Sequence, residues 1–129
     1  MADPVVQVSW GELLDKIAIL EIKLRRLRVP EAVANTEKEL AALRPALAVL
    51  DPPPPGLAEL RAALTAVNQR LWTIEDRLRE KEAAGDFGAE FVALARSVYR
   101  ENDERGRVKR AISVLLGSGL IEEKQYTAY

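Results

Sequence analysis

The sequence predicts an all-α protein, an antiparallel four-helix bundle with a long hairpin made by its third and fourth helices. Three observations carry this reading. Four segments repeat apolar residues at alternating steps of three and four, the period that lines one face of a helix. Capping signals or prolines stand where these segments begin, and glycine or proline stands where they end. The connections are short, which makes sequential helices antiparallel neighbours. At 129 residues the chain suffices for one domain with a real core, so residues 1–129 are read as a single helical domain.

Residues 1–9 form an extended lead-in. Ser9 and Glu12 have the spacing of a capping box, in which each side chain accepts from the other residue's amide. The first helix follows, with Leu13, Ile17, Leu20, Leu24 and Leu27 as its seam. Lys23, Arg25, Arg26 and Arg28 crowd its last turns, where positive charge suits the helix dipole. Pro30 ends this helix and suits the first turn of the second. Thr36 and Glu39 offer a later capping box as an alternative start. The second seam is Val33, Leu40, Leu43, Leu47 and Leu50, and Pro45 inside it should kink or split the helix.

Residues 51–56, Asp-Pro-Pro-Pro-Pro-Gly, form a stiff connector. A short proline run can also be a ligand for aromatic grooves, but flanking arginines are missing here, so the spacer reading is preferred. The third helix has the most regular pattern: Leu57, Leu60, Leu64, Val67, Leu71, Ile74 and Leu78, closed by Gly85. Asp86 or Gly88 caps the fourth. Its apolar positions are Phe91, Leu94, Val98, Val108, Ile112, Leu115 and Leu116, and Gly117-Ser-Gly119 closes it. The tail, residues 120–129, mixes Leu120, Ile121, Tyr126 and Tyr129 with charged Glu122, Glu123 and Lys124. It is expected to lie along the bundle.

Composition excludes several functions. There is no cysteine and no histidine, which removes disulfides, thiol nucleophiles, imidazole bases and the usual zinc sites. No cofactor is expected. Acids number 20 and bases 19, so no net field draws the protein to nucleic acid. The two basic clusters, Lys23 to Arg28 and Arg105 to Arg110, do not join on one face with exposed aromatics. Trp10, Trp72 and Tyr99 flank their seams and read as packing residues. No run is long and apolar enough to span a membrane, and no secretory signal is evident, so the expected location is the cytoplasm.

The fourth seam is interrupted. Asn102, Arg105 and Lys109 fall within roughly 40° of Val98 on a helical wheel, where leucines should stand. Asn68 and Glu75 border the third seam, and Glu21 borders the first. A buried cation needs a carboxylate or an anion, and Glu75 and Glu21 are the acids nearest the seams. The cluster is expected to be an ion-pair network that fixes helix register. The alternative is an interhelical pocket for an anionic metabolite, a sugar nucleotide or a chorismate-like acid, in a binding protein or small enzyme. Glu12-x-x-Asp15 and Glu101-x-x-Glu104 have the spacing of magnesium-holding carboxylate pairs, a pattern that also arises by chance in a chain with 30% charged residues.

Ile19 and Ile22 lie opposite the first seam and need cover, from the chain's own ends or from a second subunit. With an overhanging hairpin they favour a homodimer. Taken together, the residues point to a non-enzymatic interaction or accessory module, with a protein partner or an anionic small molecule as possible company.

Several stretches also resemble a known family. These are Val8-Ser-Trp-Gly-Glu-Leu-Leu-Asp-Lys-Ile17, Ile19-Leu-Glu-Ile-Lys23, Ala66-Val-Asn68, Leu71-Trp-Thr-Ile-Glu-Asp76, Lys81-Glu-Ala-Ala-Gly-Asp-Phe-Gly88 and Val98-Tyr-Arg-Glu-Asn-Asp103. They are similar to a bacterial family of short all-helical proteins of unknown function, over nearly the whole chain. Residues 31–62 are the least typical part. The resemblance implies a bacterial, cytoplasmic, single-domain protein encoded near glycosyltransferase and surface-polysaccharide functions. It assigns no catalytic residue.

Overall fold

The computed structural model describes residues 1–129. It contains four α-helices and no strand: α1 Trp10–Arg26, α2 Pro30–Leu43, α3 Leu57–Ala84 and α4 Ala89–Leu115. This is the all-α helical bundle that the apolar periodicity predicts, with α3 and α4 closely paired as its long hairpin.

Within the bundle the packing is uneven. α1 contacts all three other helices, whereas α2 packs chiefly against α1. The reason lies in α1 itself. Leu14 and Ala18 join Leu57, Leu64, Val67 and Leu71 of α3 and Val108 and Ile112 of α4 in the main core. Ile17 and Leu20 face the other way and meet Leu40 of α2. Each fully buried aliphatic side chain contributes about 1.5–3 kcal/mol, so α1 is apolar on two sides because it is buried on two sides. This corrects the expectation that Ile22 awaits a second subunit. Ile22 lies one turn beyond Ala18 and is 2% exposed within the single chain. Ile19 stays half-buried at the mouth of a surface cleft.

The N-terminus of α1 is held by α4. The first amides of a helix have no partner inside it. Here Trp10 N–H donates to Ser118 Oγ (2.9 Å), Gly11 N–H to Ser113 Oγ (3.0 Å) and Glu12 N–H to Ser9 Oγ (3.1 Å). Ser118 reaches its position because Gly117 adopts φ 67°, a left-handed conformation that reverses the chain after α4. The Ser118 amide then donates to the Ser113 carbonyl (2.8 Å), the long bond of a Schellman turn. Only half of the expected capping box forms. The Glu12 carboxylate leaves the Ser9 amide for the full charge of Lys109.

The other helix ends follow local chemistry. From beyond the end of α1, Arg28 Nη1 donates back to the Arg25 and Leu27 carbonyls. Pro30 occupies the first turn of α2. Thr36 donates to the Ala32 carbonyl (2.8 Å) and so sits inside α2, which rules out the later start. At Pro45 the α-helix gives way to a 3₁₀ helix, Arg44–Leu50, because proline has no amide to continue the ladder. Gly85, at φ 66°, ends α3 with a second Schellman turn in which Asp86 N–H donates to the Lys81 carbonyl. The hairpin register is marked by Arg70–Glu101 at 2.9 Å, Lys81–Glu90 at 2.8 Å and an Arg77–Glu90 pair.

Candidate functional site: a buried charge cluster between α1, α3 and α4

The cluster forms where the clamped end of α1 crosses α4. Asp15 is one turn beyond Glu12 on α1, so both carboxylates point to the same side. Asp15 is 3% exposed. Its Oδ1 accepts from Asn68 Nδ2 of α3 at 2.8 Å. Its Oδ2 lies 3.8 Å from both Lys109 Nζ and Arg105 Nε of α4. Lys109 Nζ donates to Glu12 Oε2 at 2.7 Å and to Glu122 Oε2 of the tail at 3.1 Å.

The balance of forces on Lys109 is legible in its proton affinity. Burial is the largest influence and disfavours the charged form. The hydrogen bonds to Glu12 and Glu122 and the charge of Asp15 together outweigh it, and the pKa is raised. Lys109 is therefore held protonated and is no base at neutral pH. Its hydrogen bond holds the Glu122 carboxyl below the usual range, against the opposing effect of burial. Arg105 is the exception in the cluster. Its guanidinium makes no hydrogen bond within the chain, and its buried Nε has only the Asp15 contact. It lines a cleft of about 240 Å³ with Lys16, Ile19 and Lys23 of α1 and Glu39 of α2.

The structure brings together three of the residues singled out from sequence: Asn68, Arg105 and Lys109. Asn102 is half-buried nearby and takes no part in the hydrogen bonds. Glu75 and Glu21 are corrections. Glu75 pairs with Arg79 at 3.0 Å on the surface of α3. The hairpin register sets it about ten residues, or roughly 15 Å, along α4 from Arg105. Glu21 is level with the 3₁₀ helix and lies 3.6 Å from Arg44. The acids that serve the cluster are Asp15, Glu12 and Glu122. In the sequence Asp15 stands out only as half of a carboxylate pair, and Glu122 belongs to a tail whose path no periodicity encodes. The second carboxylate pair is split, since Glu101 meets Arg70 and Glu104 meets Arg107.

Chemically the cluster is a network of opposite charges that hold one another. The model of a family of unknown function, DUF6165, matches residues 5–129, and the chain belongs to that family. No curated protein and no solved structure matches it.

Removing one partner of a buried pair strands the other. Lys109→Met should therefore lower stability in urea melts by on the order of 3 kcal/mol, and Asp15→Asn on that background should recover part of the loss. The pH dependence has a definite sign. The folded pKa of Lys109 is raised, so its stabilisation is complete below the ordinary lysine range. It should fade only as pH rises through the raised value. Melts of wild type and Lys109→Met between neutral and strongly alkaline pH should converge at the alkaline end.

Proposed function

We propose that this protein is a non-enzymatic interaction module, a helical accessory protein that works as a homodimer through the overhanging half of its α3/α4 hairpin. The observation that supports this is the distribution of burial. From Trp72 to Arg107 no residue is buried. α3 extends roughly 20 Å past Leu71, its last buried residue, at about 1.5 Å per residue. Toward the connecting loop α3 and α4 pack chiefly on each other, and one neighbour cannot cover an apolar stripe about 100° wide. Ile74, Leu78, Phe91, Leu94 and Val98 are half-covered, and Phe87 and Val92 are 55% and 50% exposed.

The partner is inferred from charge. Arg77, Lys81, Asp86 and Glu90 at the hairpin end pair among themselves. Residues 72–107 hold nine acids and seven bases, so the surface has little net field. An apolar stripe with a self-neutralised rim suits a second copy of the same hairpin, and two hairpins would complete a four-helix contact. The absence of cysteine is in keeping with a reducing cytoplasm.

Light scattering tests this reading. The wild type should be a dimer, and Val92→Glu, a change at an exposed position, should be a folded monomer. A wild-type monomer at micromolar concentration would overturn it.

A second reading, an anionic small-molecule binder, draws on one observation. Arg105 donates no hydrogen bond and shares its cleft with Lys23, which has no ion-pair partner. Arg105→Met separates the two. A loss of stability follows if Arg105 serves Asp15, and a neutral or stabilising effect follows if it waits for a ligand.

A further inference from the structure

We propose that the face of α4 from Tyr99 to Ser113 is a docking groove for an extended peptide with an acidic pair followed by tyrosines, and that the protein's own tail is its resident occupant. The groove lies on the side of α4 covered by the tail and does not rest on the hairpin reading. The tail runs back along α4. Glu122 meets Lys109, and Glu123 Oε1 accepts from Arg110 Nη1 at 2.8 Å. Farther along, the Tyr129 hydroxyl donates to Asp103, and its ring packs edge-on to Tyr99 with centroids 5.0 Å apart. The Arg100 guanidinium sits 5.9 Å from the Tyr129 ring centre, in range for a cation–π contact.

This contact is specific in pattern and shallow in depth. No backbone hydrogen bond joins the tail to α4. Every residue from Leu120 to Tyr129 is exposed. Exposed ion pairs contribute little each. Ser118 is held by Trp10 and by the Ser113 carbonyl, so Gly119 is the residue from which the tail departs and about which it can swing away. A cleft of about 420 Å³ separates it from α4, with Arg107, Lys109 and Arg110 on the helix side and Lys124, Tyr126 and Tyr129 on the tail side. The Lys124 side chain passes over Gly106, 3.4 Å from where a Cβ would stand, an ordinary van der Waals contact.

The bound tail thus displays the chemistry that the groove accepts: two carboxylates for the basic turn at Lys109 and Arg110, and a tyrosine for Tyr99 and Arg100. A segment tethered this closely acts at an effective concentration of about millimolar, so it masks the groove even though it binds weakly. A partner segment of the same pattern would have to displace it.

The experiment uses full-length protein and a fluorescein-labelled peptide of residues 117–129, read by fluorescence anisotropy. In Glu123→Gln/Tyr129→Ala protein the resident tail is weakened. The labelled peptide should bind it about tenfold or more tighter than wild type, because the tethered competitor is reduced. Adding Arg110→Glu, at an exposed position, should remove that binding while the thermal melt is retained. A peptide with glutamine at both glutamate positions should not bind. Equal affinity for wild type and variant, no binding to the variant, or binding indifferent to Arg110→Glu would each overturn the proposal.

Discussion

At Gly11 the backbone of α1 rests on the backbone of α4. A Cβ at this position would lie 2.2 Å from the Lys109 carbonyl oxygen and 2.8 Å from Ser113 Oγ, closer than atoms can sit. Only glycine permits the approach. Much follows from it. The Gly11 and Trp10 amides come within reach of Ser113 and Ser118, so the helix start is capped from another helix. Glu12 and Asp15 are carried to Lys109, and Asp15 reaches Asn68. Leu14 and Ala18 enter the core of α3 and α4. The charge cluster reads as a consequence of this crossing: once α1 lies this near, its carboxylates and the α4 cations must neutralise one another.

The crossing also divides the molecule. It ties α1 to the C-terminal half of α4 and the N-terminal half of α3, where all the buried residues of those two helices lie. Beyond it the hairpin continues with α3 and α4 packed chiefly on each other. The tail departs from the same region and returns over the outer side of α4. A buried centre thus presents two unfinished surfaces, a half-covered apolar hairpin and a basic strip under an exposed tail.

Much of this was legible in the sequence. Leu57, Leu64, Val67 and Leu71 follow the helical period closely, and they are core in the structure. Pro45 marked the change to a 3₁₀ helix, and Gly85 marked the end of α3. The seam interruption singles out Lys109 and Arg105, which the structure places 3.8 Å from Asp15. The error at Glu75 has a plain cause: a helical wheel gives angle and not height, and the hairpin register decides height. Ile22 differs from expectation for a related reason, since one helix buried on two sides resembles a helix awaiting a partner. Gly11 gave the weakest signal for the largest effect. A lone glycine near the start of a helix does not announce what will lie against it.

The stability of Gly11→Ala tests the central claim most directly. Helix propensity alone expects alanine to stabilise by up to about 1 kcal/mol. The backbone contact expects a loss of about 2–3 kcal/mol, because the intruding methyl meets a main-chain carbonyl that cannot step aside. Gly106→Ala is the internal control, since its neighbour is the flexible Lys124 side chain and no such loss is expected there. Urea melts of the two variants should therefore diverge, with Gly11→Ala well below wild type and Gly106→Ala at or above it. A Gly11→Ala protein as stable as wild type would contradict the account.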